Sequence, residues 1–364
     1  MRVLFTTNIP SPYRVAFFNE LGKHCELHVL FENKLSNGRD KSWSKYNFIN
    51  FDGIFIKGVS LKLGDSSKLC LSIGSYIKKI NPDLIVICNF SNPTGVILVN
   101  YCIKHKIKYY VEADGGFEVS KKSGFKYKLK KKMFNHAIGC FSSAKESDKY
   151  YTSCEVSQSK LIRYHFSSIF RNDIIRSKEK NNNKIKLLFV GQFIHRKGVD
   201  ILLKSVAKIK DLDFHLNIVG GLPTEEYLSI VKENNIEDKI TFCGFKPFDE
   251  IKQMMNDADI FVLPTREDIW GLVINEAMAF GDAIVTTNRC IAGLELIENG
   301  KNGFIVDVDD VDALAEAMKT IITNKSMLQL MQQNSLLKIK DYTIEQMVED
   351  HLAVFQKEVE QCKN

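Results

Sequence analysis

Arg196 and Lys197 follow a short apolar run that ends at Gly191, and two acids, Asp268 and Glu276, stand eight residues apart in a later segment. Such a set suits an anionic ligand that also carries hydroxyls. Arg196 offers a planar fork of donors and Lys197 a point charge, a pairing fit for a diphosphate. Gly191 lets the ligand approach the backbone. In the later segment an apolar run stops at Pro264, the acids Glu267 and Asp268 follow, and Gly271 opens a helical pattern whose first amides suit an anion. Glu276 then lies about a turn and a half into that helix, so it and Asp268 can face one site. The ordinary alternatives are an exposed basic turn, a capping acid at Asp268 and a solvated Glu276. The apolar neighbours Val273, Ile274, Ala277 and Met278 argue against the last, because a carboxylate on a buried helix needs partners.

The first half supplies a second set. Its opening strand runs into Ile9-Pro10-Ser11-Pro12-Tyr13-Arg14, and a middle strand runs into Val111-Glu112-Ala113-Asp114-Gly115-Gly116-Phe117. Glu112 and Asp114 stand at the end of that strand, where Asp-Gly-Gly reads as a plain turn. Lys121–Phe134 holds seven lysines and no acid, among them Lys126, Lys128, Lys130, Lys131 and Lys132. At helical spacing Phe125, Leu129 and Met133 share a stripe, as in a helix lying on an anionic lipid surface. Nucleic acid is the rival partner, but no recognised nucleic-acid fold accompanies the patch, and a solvated face on a core helix is the plain alternative.

The elements that must position these residues alternate from end to end. Expected strands cover Arg2–Thr7, Glu26–Phe31, Asp83–Cys88, Lys108–Glu112, Ile138–Ser142 and Leu161–His165. Helical patterns cover Val15–Lys23, Leu69–Ile80 and Val96–Lys104, so the first half reads as βαβ units on a parallel sheet. A polar stretch, 176–186, cannot add to a core and reads as a linker between domains 1–175 and 187–342. The second domain repeats the alternation from Lys186 to Thr287. The amphipathic end, 343–364, reads as a last helix. Two doubly wound α/β domains facing a cleft at the carboxyl ends of their strands are therefore expected.

Composition and missing motifs narrow the chemistry. The chain has 364 residues, 45% hydrophobic and 26% charged, as in a globular protein of two domains. No apolar run approaches the length of a spanning helix, and the N-terminus lacks the apolar core of a signal peptide, so a cytoplasmic setting is expected. The cysteines are single, without a Cys-x-x-Cys pair, and read as reduced, buried thiols. Through Asn183 there are 30 Lys and Arg against 15 Asp and Glu, leaving 20 against 29 for the remainder. The halves should therefore meet different partners. No Gly-x-Gly-x-x-Gly, Walker-type loop or nucleophile elbow is present, which weakens oxidoreductase, kinase and hydrolase readings. Asp307-x-Asp309-Asp310-x-Asp312 precedes a helix that acids favour, and His24, Cys25 and His28 lack a fourth ligand, so no metal is expected.

Gly191–Gly198, the spacing from Asp268 to Glu276, and the tail Gly300-Lys301-Asn302-Gly303-Phe304-Ile305-Val306 together resemble the donor domain of family-four retaining glycosyltransferases of the GT-B fold. The likeness is strongest from Leu187 to Thr323, and the opening Ile9–Arg14 resembles members that build bacterial surface polysaccharides. By that resemblance Arg196 and Lys197 bind the donor diphosphate, Glu276 the ribose, and Asp268 the transferred sugar. Gly191 and the amides of Gly271 and Leu272 lie near the phosphates, and Phe245 and Trp270 help choose the donor. The resemblance places Ser11, Tyr13 and Arg14 at the acceptor, and Glu112 or Asp114 where many members carry a histidine. It departs from the family at Asp268, usually glutamate, and at Pro10-Ser11-Pro12, often a glycine pair. It implies a UDP-sugar donor, a lipid-linked glycan acceptor, no cofactor, and a peripheral place on the inner face of the cell membrane. The last helix, 343–364, would pack back on the first domain. An epimerase of the same fold and a non-catalytic nucleotide-binding scaffold are the alternatives.

Overall fold

The computed structural model describes residues 1–35, 46–61, 67–178 and 184–361. Residues 179–183 of the expected linker, Cys362, and the last residues of the expected final helix lie outside them. The chain forms two compact units, Met1–Ser168 with Thr343–Asn364, and Ile169–Tyr342. The division thus falls before the polar stretch, because Ile169–Lys178 packs on the second unit: Ile175 N–H donates to the Ala279 carbonyl, and Lys178 pairs with buried Asp282.

The first unit opens with β1 (Arg2–Thr7), α1 (Pro12–Leu21), β2 (Glu26–Phe31), β3 (Asp52–Phe55) and a hairpin of β4 (Val59–Leu61) and β5 (Ser67–Leu69). It continues through α2 (Ile73–Ile80), β6 (Leu84–Ile87), α3 (Pro93–His105), β7 (Tyr110–Ala113), α4 (Phe125–His136), β8 (Gly139–Ser142), α5 (Lys145–Ser153) and β9 (Leu161–Arg163). Seven parallel strands pair in the order β3-β2-β1-β6-β7-β8-β9. β6, β7 and β8 are buried throughout, as strands covered by helices on both faces must be. The helix expected from Leu69 begins only at Ile73, because Leu69 belongs to β5 and pairs with Val59.

The second unit runs β10 (Ile185–Val190), α6 (Val199–Lys208), β11 (Phe214–Val219), α7 (Glu225–Glu233), β12 (Ile240–Gly244), α8 (Phe248–Asp257), β13 (Ile260–Leu263), α9 (Leu272–Ala279), β14 (Ala283–Thr287), α10 (Ile291–Leu296), β15 (Gly303–Val306), α11 (Val311–Thr323) and α12 (Lys325–Ile339). Its six strands are parallel in the order β12-β11-β10-β13-β14-β15. The chain then returns to the first unit as α13 (Ile344–Gln361), which lays Ile344, Met347, Val348 and Phe355 into its core. His351 of α13 stacks on Phe141, with ring centroids 4.3 Å apart.

In each sheet the strand order reverses beside the first strand, between β1 and β6 and between β10 and β13. Open α/β sheets bind ligands outside the carboxyl ends of the strands at such a reversal, since the flanking loops lead away in opposite directions.

Candidate functional site

In the second unit, the loops after β10 and β13 carry the residues singled out in the sequence. β10 ends at Val190, Gly191 N–H donates to the Val219 carbonyl, and a 3-10 turn spans His195–Lys197. Gly198 then takes φ +70°, and a Cβ there would meet the Pro264 carbonyl oxygen at 2.0 Å. The two loops are therefore packed backbone to backbone. Arg266 N–H donates to the Arg196 carbonyl at 2.8 Å, Thr265 Oγ1 donates to the same oxygen at 2.9 Å, and the Arg196 guanidinium donates to the Glu267 carbonyl at 2.6 Å.

This frame brings Arg196, Lys197 and Asp268 together. The Lys197 ammonium pairs with Asp268, and Arg196 Nη1 lies 3.7 Å from the other oxygen of the same carboxylate. Asp268 is held from behind, where its N–H donates to the Arg289 carbonyl and its own carbonyl accepts from Ile291 N–H. Gly271 takes φ +104° and α9 starts at the next residue, so the first amides of that helix project at the same edge of the sheet. Glu276 lies on α9 and is half-buried. Phe245, beyond β12, is 72% exposed beside Gly244. Trp270, expected to help choose the donor, is instead buried, with its indole N–H donating to Asn275 Oδ1 at 2.8 Å. It braces the loop from beneath.

Arg266 was not singled out from the sequence. It forks onto Asp200 at 2.7 and 2.9 Å, donates to the His195 carbonyl at 2.6 Å and pairs with Asp309 at 2.7 Å. Burial pushes the Asp200 carboxyl up, and Arg266 more than reverses this. An arginine thus spent on structure fixes the turn that carries the two site cations. The other acids of the 307–312 run also have separate partners, since Asp310 caps α11 through Ala313 N–H, Asp312 pairs with Lys208, and Asp307 accepts from Asn288.

The first unit separates its candidates. Glu112, within β7, is wholly buried, paired with Arg14 and 3.4 Å from His351 Nε2. Burial pushes its carboxyl up, but Arg14 and His351 more than offset this and bring it down to about 2. Asp114, by contrast, keeps 28% of its side chain exposed, held by the second arm of Arg14 and by the Tyr13 hydroxyl at 2.7 Å. Arg14 and Ser11 are buried. Of this group Asp114 and Tyr13 reach the edge of the sheet, while Glu112 and Arg14 act on them from inside.

The stripe read on α4 as an outward, lipid-facing one turns inward. Met133 and Phe134 enter the core, Leu129 packs against it, and Phe125 alone stays out, 80% exposed. Lys130 lies over the Tyr150 ring, Lys131 pairs with Glu155 and Lys132 donates to Asn100, which leaves Lys126 and Lys128 exposed without an ion pair among the described residues. Among those residues no helix is long and apolar enough to cross a membrane.

Comparison with known proteins agrees with this architecture. A profile described as glycosyl transferases group 1 matches residues 170–337. The capsular polysaccharide biosynthesis glycosyltransferase CapM of Staphylococcus aureus is 27% identical over 263 residues, 65% of this chain and 67% of that protein. An uncharacterized glycosyltransferase of Methanocaldococcus jannaschii, MJ1178, is 31% identical over 163 residues, 44% of this chain and 45% of its own. The chain spans about half the length of the first curated relatives it matches. Among solved structures, Anabaena Alr3699/HepE in complex with UDP superposes with a TM-score of 0.76 at 15% identity, covering 98% of this chain and all of that one. At that identity the likeness speaks for the fold, which is GT-B.

Proposed function

We propose that this chain, whose residues 170–337 match the profile of the group 1 glycosyl transferases, transfers a sugar from a nucleoside diphosphate onto a glycan acceptor. The observation that carries this reading is the meeting of Lys197, Arg196 and Asp268 beside the first turn of α9, at the reversal point of the second sheet. Cations and helix-terminal amides aimed at one place suit a diphosphate, and a carboxylate between them suits sugar hydroxyls. Glu276, a turn further along α9, is assigned to the ribose.

In the proposed reaction an acceptor hydroxyl oxygen bonds to the anomeric carbon while the bond from that carbon to the diphosphate breaks. The electron pair stays on the diphosphate, which takes up the acceptor proton. Negative charge grows on the leaving group, where Arg196, Lys197 and the amides of Gly271 and Leu272 stabilise it. Each charge-assisted contact contributes about 1.5–3 kcal/mol, so losing one slows turnover roughly 10- to 100-fold. No separate metal or cofactor is invoked. Retention of configuration, a hexose or N-acetylhexosamine as the group moved, a lipid-linked oligosaccharide as acceptor and a peripheral place on the cytoplasmic membrane face belong to the same proposal. CapM's capsular role supports polysaccharide synthesis as the setting.

UDP is the expected nucleotide, as in the HepE complex. The test is thermal stabilisation by UDP, GDP and ADP in chelator, comparing the native chain with Glu276→Ala. A ligand at 100 times its dissociation constant adds about 2.7 kcal/mol. A shift with UDP that the variant loses supports the donor site. No shift with any nucleotide points to the scaffold reading, and turnover of donor sugar without acceptor to the epimerase.

A further inference from the structure

The first sheet has its own reversal point, between β1 and β6, and the loops leaving it carry Asn8 and the pair Asn89 and Asn92. Their side chains meet. Asn92 Nδ2 donates to Asn8 Oδ1 at 2.9 Å, and Asn89 Oδ1 accepts from the Thr6 hydroxyl at 2.7 Å. Beneath both lies Glu32, the residue after β2, fully buried. Its carboxylate takes the amide of Asn89, the amide of Asn92 at 3.3 Å and the N–H of Lys68 at 3.2 Å. No cationic side chain pairs with it among the described residues, and burial pushes its carboxyl up, partly offset by those three donors and by the charge of Lys68.

A wholly buried carboxylate fed only by neutral donors is costly, and a glutamine would fill the same space more cheaply. The carboxylate does one thing that glutamine cannot. Because it only accepts, it obliges both asparagines to turn their NH2 groups inward, which fixes which way each amide points. Asn92 Oδ1 and the Asn8 NH2 group are thereby left without a protein partner among the described residues, one acceptor and one donor side by side, on half-exposed residues. Adjacent hydroxyls of a sugar ring have that complement.

We propose that this edge of the first unit is a carbohydrate subsite, in which Asn8 and Asn92 bind hydroxyls of the acceptor glycan and Glu32 is the positioning residue that orients them. The inference rests on the glycosyltransferase reading for its ligand class, and it adds a place at the ends of β1 and β6 to the Asp114 group that follows β7.

Saturation-transfer NMR on the full chain tests it, with methyl α-glycosides of glucose, galactose, N-acetylglucosamine and rhamnose as one set of probes and UDP as the other. The native chain should transfer saturation to at least one glycoside. Asn92→Ala and Asn8→Ala should weaken that binding about fivefold each, the worth of one neutral hydrogen bond. Glu32→Gln should do the same by freeing the Asn92 amide to flip, and Asn92→Gln, which keeps an amide, should recover part of the signal. UDP binding should stay unchanged in all four, and a native-like circular dichroism melt of each variant reports that its first unit is folded. UDP binding without any glycoside signal, or glycoside binding indifferent to all four substitutions, overturns the subsite. Loss of both probes in the native chain overturns the glycosyltransferase reading with it.

Discussion

Glu112 and Arg14 form an ion pair whose side chains are 0% and 3% exposed, and such a pair ties stability to pH. The unfolded carboxyl titrates near 4.3, and in the folded chain it is brought down to about 2. A depressed carboxyl contributes stability that is fully present above the unfolded value and is lost as pH falls through the folded one. Here that window lies between about pH 4 and pH 2, and the contribution at pH 7 is about 3 kcal/mol. Glu112→Gln should lower the unfolding free energy at pH 7 by about this much and make the acid side of the profile shallower. Some acid dependence will persist, because Asp200 and Asp350 are also held below the usual range, against burial, by Arg266 and His165 respectively. Denaturant melts between pH 3 and pH 7 decide the point, and an unchanged acid slope in the variant would sink it. At this scale the sequence exposed Arg196, Lys197, Asp268 and Glu276, because each lies in a loop or helix start with a local signature. It hid Arg266 and Glu32. Their partners are 66 and 57 positions away, and only the register of parallel strands brings such residues together.

The start of α9 depends on one glycine. Gly271 takes φ +104°, where an L side chain is strained by about 1–2 kcal/mol, and a Cβ there would meet Cys290 Sγ at 2.7 Å. Cys290 cannot yield freely, being buried with its thiol on the Trp270 carbonyl. Gly271→Ala should therefore cost about 2–4 kcal/mol of stability. It should also weaken UDP binding about tenfold, since the amides after it move. Titration calorimetry and a thermal melt on the same sample check both; a variant with native affinity would show that the helix start does not touch the nucleotide. The basic helix α4 tests a different idea. Its apolar stripe has the same period whether it faces lipid or core, so the sequence alone did not choose, and the structure places Met133 inside. What remains outside is Phe125 with Lys126 and Lys128. Each lysine near an anionic surface contributes about 1 kcal/mol, so Lys126→Ala with Lys128→Ala should lower partition onto vesicles holding phosphatidylglycerol roughly 30-fold. Equal sedimentation of native and double-variant chains with such vesicles would remove α4 from the membrane proposal. The hairpin β4–β5 escaped the sequence reading because its strands are three residues long, too short to show a period.

The order in which the chain visits its two units makes them unequal. Ile169–Tyr342 is continuous, with a six-stranded sheet that draws no strand or helix from elsewhere. Met1–Ser168 is not complete without Thr343 onward, because α13 brings Ile344, Met347, Val348, His351 and Phe355 into its core and His351 against buried Glu112. The alternation of apolar runs made both sheets legible in the sequence, and the amphipathic pattern of the last helix marked it as half-buried. Which face received it was decided by aromatic packing: His351 lies 4.9 Å from Phe17 and Phe355 lies 6.3 Å from Phe5. Truncating Phe355 costs about 3–5 kcal/mol and Ile344 or Met347 about 2–5 kcal/mol each, so these side chains together match the 5–15 kcal/mol that holds a typical domain together. Residues 169–342 alone should therefore fold, melt cooperatively and bind UDP. Residues 1–168 alone should aggregate or melt without a sharp transition, and a permuted chain that places 343–361 ahead of Met1 through a flexible linker should restore the transition. Circular dichroism melts of the soluble fractions of these three chains decide it. A sharp, native-like melt of 1–168 on its own would mean that α13 decorates the first unit rather than completing it.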